Sequence, residues 1–463
     1  MKICRNNSRR PIIARCCAIV LASFSLVGSG GTAAAARNAT GGHVQVARSL
    51  YLSLHRNRVV SSRKVLLSAR LVLPHADTVL LESDGSYAPI GTDAAASISI
   101  RVDGRPVSNE STTDWRGSFD VVAHSFDAIG ATSLAAGSHT VELVGVALAG
   151  SFTVDALSNL SVFVHPAQNV LMSQLPAQPG PFDFTTLGDV GPDLPHTPLV
   201  QLPTDVTQPT VALGSGSERR VGPENGDGML GIYLDGQHPG TSHSLWTVND
   251  LCICAETEAP LFTHALLQGT THASTVSLDA TEFPWSRAQG ENPGVFTVQP
   301  RATLVVLNGG LHAVGATQSL LRSFPDLAGT VYDHWCIGSN QGWPGCPTVG
   351  SAVPIAKTTI SIAAGRPGVV MLLAKARVSG DESDPGGTAT LWITVDGKPR
   401  GSIGLQQLAA PSGESGRTIT ASYLAAGNAH LRPGRHTIRV YAKADGAFIH
   451  LAYLRDVPLI WFD

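Results

Sequence analysis

The 463-residue chain is predicted to be all-β, with two or three antiparallel jelly-roll or β-sandwich domains in tandem. Three observations lead there. Short runs of β-branched and aliphatic residues, bounded by Gly, Pro, Asp or Asn, recur throughout, and no sustained 3.6-residue period marks a long helix. The chain carries 48 glycines and 29 prolines, so it turns often. Two motifs also recur in one order. Ile100-Arg101-Val102-Asp103-Gly104 matches Ile393-Thr394-Val395-Asp396-Gly397, and the Leu134–Val141 stretch, with Gly137 and His139, matches Leu431–Ile438, with Gly434 and His436. The spacing from Asp to His is 36 residues in one copy and 40 in the other.

The N-terminal 36 residues form an expected export signal. Lys2, Arg5, Arg9, Arg10 and Arg15 precede an apolar run from Cys16 to Val27, and Ala33 to Ala36 offer a small-residue cleavage site. The apolar run is too short to span a bilayer, and no other stretch is long enough, so no membrane span is expected in the mature chain. Residues 8–13 partly resemble a twin-arginine signal, and both export routes stay open. Losing five positive charges takes the formal net charge from −3 to −8. A mildly acidic product with 14% charged residues is no nucleic-acid binder. The expected location is secreted, periplasmic or cell-surface.

The first copy, 37–168, should hold strands near 43–54, 64–73, 78–82, 97–102, 119–123, 140–146, 152–156 and 160–165. Its Asp-Gly pair after alternating Ile and Val is a hairpin signal, because that turn needs positive φ. Val141 and Leu143 alternate with Thr140 and Glu142, the period of a half-buried strand. His139 and His436 hold equivalent places and read as structural rather than ligating. Residues 169–228, with nine prolines between Ser173 and Gly228, read as a linker or strap. The second copy occupies 353–463. Between them, 229–352 is a Cys/Trp-containing β domain and a candidate divergent repeat. Its Ile232–Gly236 echoes the first motif and Leu307–Val314 the second, at a 77-residue spacing from Asp235 to His312.

Cys252, Cys254, Cys336 and Cys346 remain after cleavage, and an even number in an exported chain favours two disulfides. Their C-x-C and C-x9-C spacings lack zinc knuckles, so no metal or other cofactor is expected. Trp335, Trp343, Asp333 and Asn340 lie within a 14-residue stretch bounded by Asp333 and Cys346, with Trp285 in the same domain. Flat aromatic rings beside polar side chains suit the C–H faces and hydroxyl edges of sugars, which makes these five the ligand-binding candidates. His238, His243 and the acidic turn 381–387 are weaker metal signals.

No nucleophile elbow, zincin motif or phosphate-binding loop occurs, and acidic residues stand singly on expected strands and loops, so no catalytic residue is assigned. The Asp-Gly and Leu-x-x-Gly-x-His elements resemble those of bacterial secreted jelly-roll modules, some of them carbohydrate-binding. Three classes therefore fit. An exported non-catalytic binding protein for envelope or matrix glycans is favoured. The others are a structural surface or appendage protein that assembles with copies of itself, and a secreted hydrolase with its site in the middle domain.

Overall fold

A computed structural model describes residues 44–45, 49–115, 123–165, 170–176, 182–184, 196–206, 210–221, 226–237, 243–248, 258–267, 273–284, 295–308, 318–319, 324–325, 331–332, 334–337, 352–362, 364, 370–380, 387–408, 414–425, 431–446, 449–452 and 459–462. These residues are all-β, with no helix among them. Every strand pairing is antiparallel except that of Val44–Gln45 with Arg70 and Leu71.

The Asp-Gly turn organises the sandwich copies. Asp103, Asp235 and Asp396 have φ of 50°, 51° and 51°, and Gly104, Gly236 and Gly397 follow at 79°, 74° and 77°. Two successive positive-φ residues make the hairpin turn whose twist matches that of its strands. Each Asp then fastens the turn to a neighbouring strand. Its Oδ1 accepts the N–H of Thr140, Thr275 or Thr437, and its own N–H donates to the same threonine's carbonyl.

The middle segment is therefore a third copy. Its second motif lies at Thr275, 40 residues beyond Asp235, and not at Leu307–Val314. Leu307 sits instead on Thr303–Asn308, paired with Val170–Gln174 and Thr210–Val221.

In each copy the turn belongs to a sheet face of the same strand order. That order is Arg63–Leu73, Gly137–Val154, the 95–102 part of Asp77–Val102 and Arg105–Pro106 in the first copy. In the middle copy it is Thr197–Asp205, Ala273–Pro284, Gly226–Leu234 and His243–Val248. In the last it is Val353–Ile362, Gly434–Gly446, Gly387–Val395 and Lys398–Leu408. The opposing faces also correspond. Residues 78–87 of Asp77–Val102 lie between His124–Leu134 and Asn159–His165; Thr210–Val221 lies between Glu258–Leu267 and Thr303–Asn308; Val370–Gly380 lies between Glu414–Ala425 and Leu459–Phe462.

The described part of 169–228 is not the expected linker or strap. That stretch supplies the opening strands of the middle copy, from Val170–Gln174 onward. Thr197–Asp205 tolerates Pro198 and Pro203 because it is an edge strand with one neighbour, so a missing N–H breaks no second ladder. The strand His124–Leu134 was also unexpected. Asp127 and Gly130 interrupt its alternation, and Gly130 is needed because a Cβ there would stand 2.1 Å from the Val107 carbonyl oxygen.

Each copy has its own apolar core, represented by Ile98 and Phe152, by Leu230 and Leu278, and by Leu391 and Ile438. A fourth cluster draws on all three copies, with Leu80, Leu213 and Leu373 at corresponding places on the three inner strands. The inner faces thus meet each other. Strand pairing joins the copies as well, through Asp114 opposite Glu258 and Trp246 opposite Arg417.

Candidate functional site

Two residues beyond the three shared leucines, the inner strands carry Glu82, Ser215 and Lys375, all buried. Because side chains alternate along a strand, these residues face the same inter-copy space as the leucines. The Lys375 ammonium donates to Thr263 Oγ1 of the middle copy at 2.9 Å. The Ser215 hydroxyl donates to the Asp127 carbonyl of the first copy at 3.3 Å. Glu82 faces Ser422 of the last copy. Last to middle, middle to first and first to last, the three joints close a ring.

The joint between the first and last copies is the most polar. Ser402 donates to Asp84 Oδ1 at 2.9 Å, and its hydroxyl accepts the Ser422 N–H at 2.8 Å. Asn159 Nδ2 donates to Ser422 Oγ at 2.9 Å. Gln406 meets His124 Nδ1 at 2.7 Å, and the Gln407 N–H donates to the Ala123 carbonyl at 2.8 Å.

Within this joint stand three carboxylates. Asp84 and Asp127 are direct cross-strand partners, and Glu82 lies two residues along the same strand face from Asp84. One oxygen of each lies within 4.8 Å of the others, and the three residues are only 1–3% exposed. Burial raises the pKa of all three, and for Glu82 and Asp127 the neighbouring carboxylates raise it further. Hydroxyls of Ser402 and Thr420 pull Asp84 part of the way back. Burial likewise holds the Lys375 ammonium down, to about 7. Tyr51, edge-on to Tyr423 at 5.8 Å, has its phenol pushed up by burial and then by Glu82.

Sequence reasoning missed this cluster by treating acidic residues as isolated. A signal was present: Glu82 and Asp84 sit two apart directly after the apolar run Val79-Leu80-Leu81, so one strand face carries both. Asp127 is 43 residues from Asp84 and joins them only through strand register.

The two repeated histidines have a structural role, as their equivalent places implied. His139 Nδ1 lies 2.8 Å from Asp103 Oδ2, and its Nε2 lies 2.9 Å from the Ala135 carbonyl. His436 repeats this with Asp396 at 2.7 Å and the Arg432 carbonyl at 2.7 Å. Each ring points both nitrogens at acceptors, an arrangement that favours the protonated imidazolium and leaves neither nitrogen facing open space for a metal. The middle copy has Ser274 at that place.

A different histidine stands by itself. His196 stacks on Tyr233 at a centroid distance of 4.0 Å, and its Nδ1 bonds the buried carboxylate of Asp279. Burial raises the Asp279 pKa, while Ser277 and His196 lower it. The arrangement orients an imidazole, but no hydroxyl or thiol among the described residues hydrogen-bonds to His196.

Of the predicted ligand residues, Trp335 lies on His334–Ile337, opposite Leu451, with Cys336 opposite His450. This strand is the edge of the nine-stranded sheet. Asp333, Asn340, Trp343, Trp285, Cys252, Cys254 and Cys346 lie outside the described residues, as do His238 and residues 381–386 of the acidic turn.

No known protein family and no curated protein matches the chain. Among solved structures, that of the infectious bursal disease virus Gx strain is 7% identical, covering 91% of this chain and 88% of that one at a TM-score of 0.21. The VP2 subviral particle of infectious bursal disease virus is 8% identical, covering 90% and 86% at a TM-score of 0.20. Likenesses this slight leave the fold to be read from the strands themselves.

Proposed function

We propose that this is an exported, non-catalytic binding protein whose ligands are glycans of a cell envelope or extracellular matrix. The observation that carries the reading is where the ionisable chemistry sits. Glu82, Asp84, Asp127 and Lys375 are sealed into the joints between copies, where no polymer reaches them. Side chains so placed serve assembly rather than turnover.

What the fold leaves to a ligand is its rims. The edge strand bearing Trp335 and Cys336 runs on into the sequence that holds Asn340 and Trp343, and two disulfides among Cys252, Cys254, Cys336 and Cys346 would hold that segment ready. Export rests on the three-part signal of residues 1–36.

A second reading, a surface protein that assembles with its own copies, draws on one observation. Val59, Val65, Ile90 and Leu148 are exposed large apolar residues on strands that meet along Gly137–Val154. A glycan array with the full mature chain separates the readings. Specific binding abolished by Trp343→Ala supports glycan recognition. No binding, with a stable oligomer by light scattering, supports self-assembly. Turnover of a polysaccharide or ester substrate would overturn the non-catalytic reading.

A further inference from the structure

We propose that Glu82, Asp84 and Asp127 bind one hard divalent cation, calcium above all, at the joint between the first and last copies. The donor set is oxygen alone, the chemistry that selects calcium or magnesium over softer metals. Oxygens within 4.8 Å of one another lie within reach of a single central ion, whose calcium–oxygen distances are about 2.3–2.6 Å.

The unpartnered groups around the cluster supply an independent reason. Both carboxylate oxygens of Glu82 and both of Asp127 are buried without a hydrogen-bond partner. So are two neutral hydroxyls, those of Ser161 and Thr420, each no more than 3% exposed. Ser161 is the direct cross-strand neighbour of Glu82, and Thr420 lies against Asp84 from the last copy. A sealed polar space in which the Glu82 and Asp127 oxygens lack direct hydrogen bonds, and the Ser161 and Thr420 hydroxyls stand beside the carboxylates, is what a cation with oxygen ligands fills.

The charge balance agrees. The one buried lysine of the inner strands, Lys375, is directed at Thr263 in a different joint. Placed here, a divalent ion would tie the first copy to the last, because Asp84 is already bonded to Ser402 and Asn159 to Ser422. Its binding would raise the stability of the assembled chain and have no counterpart in the unfolded one.

The test uses the full mature chain, stripped with EDTA and titrated with calcium and then magnesium chloride by calorimetry. One equivalent of calcium per chain is expected, with a higher melting temperature that EDTA reverses. Glu82→Gln or Asp127→Asn should weaken binding by about tenfold or more, and Asp103→Asn should leave it unchanged. A wild-type chain that binds neither ion overturns the proposal, as does one equivalent that survives both cluster variants. If those variants fail to fold, hydrogen exchange of the wild-type chain decides. Calcium-dependent protection in Asp77–Val102 and His124–Leu134 supports the site, and protection confined to other strands overturns it.

Discussion

Asp84 accepts a hydrogen bond from the Ser402 hydroxyl at 2.9 Å across 318 residues of sequence. The two residues belong to the first and last sandwich copies, so the ends of the fold are fastened directly to each other. Removing the donor leaves a buried carboxyl group short of a partner. Ser402→Ala is expected to cost about 1–3 kcal/mol, and the loss should be non-additive with Asp84→Asn in a double-mutant cycle by urea denaturation. Additive losses would show that the pair is not coupled.

The turn latches make a pH-dependent prediction. His139 is raised above 6.5, first by its bond to Asp103; His436 is also raised, since the Arg432 carbonyl and Asp396 outweigh its desolvation. Asp103 and Asp396 are lowered below 3.8 by those same histidines. A raised histidine stabilises fully below its unfolded pKa, and the contribution fades as pH rises through the folded value. A lowered aspartate stabilises above its unfolded pKa and loses the contribution as pH falls through the folded one. The latches are therefore strongest between 3.8 and 6.5. NMR titration should place both histidines above 6.5, and Asp103→Asn should lower His139 alone.

Backbone crowding at the joint gives a third expectation. Gly401 has φ of +80°, and a Cβ there would stand 2.0 Å from the Ser422 carbonyl oxygen. Gly401→Ala is expected to destabilise by about 2 kcal/mol or more, because strain and overpacking act together. Gly236→Ala, at φ of +74° with open space around it, should cost less. Chemical denaturation of both variants checks the order.

Much of the fold was legible where its signal is local. The Asp-Gly turns need only two residues in positive φ, and the structure has them at Asp103 and Asp396, as expected. Strands over 64–73 and 160–165 matched because both are dominated by aliphatic and β-branched residues with no Gly or Pro inside. Other features depend on partners far along the chain. The middle copy's second motif was misplaced because Ser274 stands where the other copies have a histidine. The proline-bearing strand Thr197–Asp205 looked like a linker because only its place at a sheet edge excuses its prolines. The carboxylate cluster was half legible: alternation places Glu82 and Asp84 on one face, but Asp127 arrives only through register.

The shared apolar cluster predicts that the copies fail together. Leu373 is buried among residues of all three. Leu373→Ala should cost about 2–5 kcal/mol and lower the stability of the first copy as well as the last. Hydrogen exchange resolved by strand would show it. Faster exchange limited to Val370–Gly380 and its neighbours in the last copy would count against the shared centre.

The central claim is that buried joints make three sandwich copies one cooperative unit. Differential scanning calorimetry of the full chain tests it most directly. The account predicts a single transition whose calorimetric and van't Hoff enthalpies agree. Two or three separable transitions, each leaving the other copies folded, would contradict it.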